Sequence, residues 1–131
     1  MPTEPKTNQT GTSNIFDYQG TLHRLGGDQG LFTDLIDFFM EDGDMLLGRI
    51  RDGLANGDNA AVVLAAHSLK GFCSNFGAQR AVNAAMALEE SARAKQSRSA
   101  SAIVGELESA VTQLKAALRK YQVARQEGPA S

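Results

Sequence analysis

Apolar side chains recur every three or four positions along most of this chain, and no stretch alternates with a period of two. That pattern predicts helices throughout and no strand. A first helix over residues 17–25 stops at Gly26-Gly27. Asp28 opens a second, with Leu31, Phe32, Leu35, Ile36 and Phe39 on one face. The acidic run Glu41-Asp42-Gly43-Asp44 predicts an interruption, after which Asp44 caps a third helix presenting Leu46, Leu47, Ile50 and Leu54. Asn56-Gly57 stops that helix, and Asp58 caps a fourth that runs to Gly77. A fifth covers 78–95 with Ala81, Ala85, Leu88 and Ala92 aligned. Beyond the polar stretch from Gln96 to Ser99, a sixth aligns Ile103, Leu107, Val111, Leu114, Leu118 and Tyr121.

Short connections between long amphipathic helices favour antiparallel neighbours. The expected fold is all-α: an up-and-down antiparallel four-helix bundle made of the third to sixth segments. Short additional N-terminal helices are expected to pack around one end. Residues 1–14 carry Pro2, Pro5 and Gly11 without periodicity, which predicts a disordered tail or linker. Residues 126–131 read as a flexible C-terminal tail, leaving 15–125 as one domain.

The fourth helix holds the chemistry. Its apolar positions Val62, Ala65, Ala66, Leu69, Phe72, Cys73 and Phe76 fall on one face. His67 projects about 160° from the centre of that face, as does Gly71 one turn later. Lys70, at i+3, stands on the flank within reach of the imidazole. An exposed ring beside a lysine suits covalent phosphate carriage, because a histidine nucleophile needs a neutral ring nitrogen and compensation for the charge it acquires. Glycine inside a helix costs about 1 kcal/mol relative to alanine. On an outward face its use is clearance for another protein's active site; the alternative is an early helix end. Glu89 lies roughly 70° from the centre of the fifth helix's stripe, where it could face the fourth. The tight turn at Gly77 brings it to the height of His67. There its carboxylate could accept Nδ1–H and leave Nε2 free; the alternative is an ordinary solvated glutamate.

Composition narrows the partners. Among 131 residues the hydrophobic share is 42% and the net charge is −2, with no basic block, which argues against nucleic acid. No apolar run approaches the roughly 20 residues that cross a bilayer. The N-terminus lacks a charged segment followed by an apolar one, so no secretory signal is expected. The lone cysteine, Cys73, sits on the apolar stripe, as a small buried hydrophobe in a reducing compartment would. A cytoplasmic monomer is the expectation. His23, His67 and Cys73 lack metal-ligand spacing, so no metal site is expected.

The run His67-Ser68-Leu69-Lys70-Gly71, followed by Asn75-Phe76-Gly77-Ala78, resembles the histidine phosphotransfer domain of two-component phosphorelays. The likeness extends from Phe16, through Leu25-Gly26-Gly27-Asp28, to Leu88-Glu89. The resemblance implies that His67 accepts a phosphoryl group on Nε2 from a receiver-domain aspartate and passes it to another. It casts Lys70 as the lysine beside the phosphoryl group, Gly71 as the clearance glycine and Glu89 as the ring-orienting residue. It implies response-regulator receivers as partners, with a hybrid histidine kinase a further candidate. It also implies no cofactor of the domain's own and no nucleotide site, the Mg²⁺ coming with the receiver. A kinase dimerisation fragment would carry an acidic residue directly after the histidine, where Ser68 stands.

Leu64, one turn before His67, and Ser68 and Ser74 lie off the apolar stripe and could line the rim where a receiver docks. Phe38 and Met40 also fall off their stripe; they either form an apolar docking patch or pack against the first helix. Arg80 could assist the phosphoryl group, with no orientation assigned. His23 lacks the neighbouring lysine and glycine and reads as structural or merely exposed.

Overall fold

The computed structural model describes residues 15–127 and is helical among them. The helices are α1 (Tyr18–Arg24), α2 (Gln29–Asn56), α3 (Asn59–Asn75), α4 (Gln79–Arg93) and α5 (Ser97–Glu127). The predicted 1–14 segment lies outside the described residues, as do residues 128–131 of the predicted C-terminal tail. Helices α2 to α5 form the bundle: each packs on its neighbour in sequence, and α5 closes back on α2. Connections at 57–58, 76–78 and 94–96 are too short for anything but antiparallel neighbours.

Local chemistry sets the boundaries. The Asp17, Asp28 and Asp58 carboxylates accept from the backbone N–H of Gly20, Leu31 and Ala61, each at 3.0 Å, and so cap α1, α2 and α3. Gly57 ends α2 in the left-handed region at φ 69°. The α3–α4 turn is closed by Gly77 at φ 62°, where a Cβ would come within 2.7 Å of Asp17 Cβ. Around this turn α1 is latched to the end of α3. Asp17 N–H donates to the Phe76 carbonyl at 2.7 Å, while Thr21 Oγ1 and Arg24 Nη2 both donate to the Asn75 carbonyl.

The expected helix boundaries need correction in places. The acidic run at 41–44 does not interrupt the chain: the predicted second and third helices are one helix, α2. Gly43 occupies a buried stripe position between Phe39 and Leu46, and a Cβ there would lie 3.5 Å from the Phe39 ring. The apolar register passes through it, so tertiary burial outweighs glycine's local penalty of about 1 kcal/mol. Asp44, expected as a cap, sits within the helix and pairs with Lys115 of α5. Consequently the predicted second helix is the first half of α2, and α1 stands before the bundle. The last helix also begins at Ser97 rather than after Ser99, and it continues to Glu127, past the predicted boundary at 125.

The core is one cluster. Val62, Ala65, Ala66, Leu69 and Cys73 of α3, with Phe76 just after it, are all buried in the same cluster as Ile36, Ile50, Leu88, Leu107 and Leu114. Phe72 is half-buried against the same cluster. Burial pushes the Cys73 thiol up to about 12, which suits an inert hydrophobe. Near the α3–α4 turn an aromatic group forms around Phe32, whose ring stacks on Tyr18 (5.6 Å) and Tyr121 (5.0 Å) and also meets Phe16 and Phe76. This layer fixes α1, α2, α3 and α5 at one end and leaves the middle of α3 to the site.

Candidate functional site

Midway along α3, the stripe that buries Ala66 and Leu69 turns His67 outward, with its side chain 65% exposed. Gly71 follows one turn later, also exposed, and a Cβ built on it would meet nothing within 4 Å. The approach to the ring is therefore open from that side. The backbone continues helically through Gly71 to Asn75, so the glycine does not end the helix.

Glu89 arrives from α4 at the same height. Its Oε2 lies 3.2 Å from His67 Nδ1. The carboxylate is not solvated: it is 7% exposed and receives two cations as well, Lys70 Nζ at 3.0 Å on Oε1 and Arg93 Nη2 at 2.9 Å on Oε2. Burial alone pushes the Glu89 carboxyl upward, but hydrogen bonds from Arg93, Lys70 and His67 outweigh it and hold the group at about 2. An ionised carboxylate can only accept, so the proton of a neutral His67 ring resides on Nδ1. The Nε2 lone pair is then left free on the exposed edge of the ring.

The tuning of Glu89 makes a testable statement about stability. The group titrates near its ordinary 4.5 when unfolded and near 2 in the fold. Between those values the unfolded chain binds more protons, so stability rises with pH there. The contribution is complete above the unfolded value and disappears as pH falls through the folded one. Glu89→Gln is therefore expected to flatten the acid limb of stability between pH 4.5 and 2. Urea midpoints across that window check it; parallel limbs for the two proteins would contradict it.

Around the ring, Leu64 is the most exposed large apolar side chain, at 70%. It separates two depressions. One, of about 530 Å³, lies between α2 and α3 and is lined by Leu46, Arg49, Asp52, Leu64, Ala65 and Ser68. The other, of about 380 Å³, lies between α3 and α4 and includes Val63, Leu64, Ala92 and Arg93. Ser68 and Ser74 are exposed on α3, Ser68 within the first depression.

Other candidates lie elsewhere or behave differently. Arg80 is committed to α5, donating to Glu106, Ser109 and Gln113, and does not join the His67 group. His23 is exposed on α1. Phe38 projects into solvent at 58% exposure, whereas Met40 is half-buried against the core. Among the described residues, no three His, Cys, Asp or Glu side chains gather in a way that could hold a metal ion. Sequence reasoning missed Arg93 altogether. The signal was present, since Glu89 and Arg93 stand at i and i+4 with the acid N-terminal, the favourable order on a helix. It also left Lys70 beside the imidazole alone, whereas the structure gives its ammonium to Glu89.

The Hpt domain profile matches residues 34–117, which take in all of α3 and α4 with most of α2 and α5. The fold is shared with histidine-containing phosphotransfer protein B (HptB) of Pseudomonas aeruginosa PAO1: TM-score 0.76, 26% identity, over 82% of this chain and 93% of that one. It is also shared with the maize histidine-containing phosphotransfer protein ZmHP2, at TM-score 0.78 and 18% identity over 92% of each chain. No curated protein sequence matches significantly. With a profile match spanning most of its length, the chain belongs to the Hpt family, the histidine phosphotransfer domains of phosphorelay signalling.

Proposed function

We propose that His67 is the residue that carries the phosphoryl group. The observation that supports this most is the pairing of a solvent-facing ring with a buried, ionised Glu89 on Nδ1. In the forward step the Nε2 lone pair attacks phosphorus of a receiver's aspartyl phosphate. The N–P bond forms as the P–O bond breaks, and the aspartate leaves as a carboxylate. The return step to a second receiver is the reverse. The proton stays on Nδ1 throughout, donated to the Glu89 carboxylate, so the reacting nitrogen is never the protonated one. The chain acts as a carrier: positioning and charge compensation are its whole contribution.

Lys70 supplies a mobile positive charge beside the phosphoryl group. Gly71 gives the receiver clearance, and Leu64, Ser68 and Ser74 form the rim on which it docks. The carboxylate facing His67 is already taken by three donors, two of them cations, which does not suit Mg²⁺ with its demand for open oxygen ligands. On this reading the Mg²⁺ comes with the receiver. Among the described residues no helix is long and apolar enough to cross a membrane. Within this reading the chain works in the cytoplasm as a monomer without its own nucleotide site. Its partners are response-regulator receivers, with a hybrid histidine kinase as a source of phosphate.

The test is incubation with ³²P-labelled receivers and Mg²⁺. Label that moves to this chain and is acid-labile but base-stable is expected, as a phosphohistidine requires. Acid-stable label, or none from any receiver, would contradict the reading. Gly71→Leu provides a second arm. Helix propensity should raise stability by about 0.5–1 kcal/mol, while receiver affinity falls because the new side chain enters the approach path. Unaltered affinity would remove the clearance role.

A further inference from the structure

The carboxylate of Glu89 divides its partners between its two oxygens. Lys70 holds Oε1 alone, at 3.0 Å. His67 Nδ1 and Arg93 Nη2 share Oε2, at 3.2 and 2.9 Å. A phosphoryl group on Nε2 brings negative charge to the face where Lys70 already stands, and Lys70 cannot serve both anions equally. When it turns to the phosphoryl group, Oε1 is vacated and a carboxylate 7% exposed loses one of two cations. Burial makes such a loss expensive unless the remaining charge stays paired.

Arg93 is placed to prevent that expense. It sits one turn beyond Glu89, in the last turn of α4, where a cation also complements the helix terminus. Its guanidinium is always charged, and its contact with Oε2 does not compete with the departure of Lys70 from Oε1. Pairs between exposed side chains are worth little, but here only the arginine is exposed, at 61%, and its partner is buried. Resting on the assignment of His67 as the phosphoryl carrier, we propose that Arg93 is a positioning residue that secures Glu89 on the ring while Lys70 moves to the phosphoryl group. Lys70 is thus shared between two anions in turn, and Arg93 makes the exchange possible.

Potassium phosphoramidate tests this without any receiver: its P–N bond breaks, ammonia leaves and a new N–P bond forms on histidine. Loading of the full chain is followed by ³¹P NMR, with circular dichroism as a check on folding. Arg93→Met is expected to load about fivefold more slowly than wild type, equivalent to about 1 kcal/mol in the barrier. Arg93→Lys should restore most of the rate, because a cation again reaches Oε2. In a Glu89→Gln background, which has no buried charge to secure, Arg93→Met should change loading by less than about twofold. Equal loading of wild type and Arg93→Met would overturn the role of Arg93 while leaving His67 as the carrier. A slowdown that persists in the Glu89→Gln background would also overturn it, since Arg93 would then act through something else. Failure of wild type to load at His67 would instead bring down the assignment on which the role rests.

Discussion

His67→Gln is expected to leave the chain fully folded and unable to take label from a phosphorylated receiver. The ring is mostly in water, so its removal opens no cavity, and surface changes of this kind usually alter stability by less than about 0.5 kcal/mol. A glutamine amide can still donate to Glu89, so the buried carboxylate keeps a third partner. What disappears is the nitrogen lone pair, and no neighbouring group replaces it. Lys70 donates to Glu89, and Ser68 is an exposed hydroxyl, a far weaker nucleophile than an imidazole nitrogen. Label on the variant should therefore fall at least about a thousandfold below wild type. Scintillation counting of the separated proteins checks this, and equal labelling would assign the chemistry to another residue.

The largest stability effect is expected far from the ring. Phe32 is fully buried and meets four aromatic rings, from Phe16 and Tyr18 before α2, Phe76 at the end of α3 and Tyr121 on α5. These partners come from separate segments, so the site can collapse little when the ring is removed. Phe32→Ala should destabilise the fold by about 3–5 kcal/mol, a large part of the 5–15 kcal/mol typical of a domain. The melting temperature should fall by roughly 10–25 °C for a chain of this size. Below the new transition, phosphoryl uptake should match wild type, because Phe32 is outside the group formed by His67, Lys70, Glu89 and Arg93. A melting temperature lowered by only a few degrees would contradict this view of the aromatic layer.

The same contrast explains how much was legible beforehand. A helix facing one core writes its register into the sequence, so Val62, Ala65, Leu69, Cys73 and Phe76 could be placed inside and His67 outside by angle alone. The Gly77 turn then set α3 and α4 side by side, and counting residues from it placed Glu89 at the height of His67. At Gly43 the pattern misleads, because the residue's local meaning and its tertiary use differ. In an acidic run it looks like a break, whereas in the bundle it is the small residue that lies over Phe39. α5 starts earlier than its pattern predicts for a related reason. Ser97, Arg98 and Ser99 carry no apolar register, and the first buried side chain after them is Ala100. The commitment of Lys70 to Glu89 could not be read at all, since a flexible side chain chooses among anions only once the neighbouring helix is in place.

The most direct measurement is where phosphorus sits on the loaded chain. With ¹⁵N in the rings of both histidines, His23 and His67, the ³¹P–¹⁵N coupling identifies the bonded atom. Coupling to His67 Nε2 is expected, with Nδ1 still protonated against Glu89. Phosphorus on His67 Nδ1, on His23 or on any oxygen would contradict it.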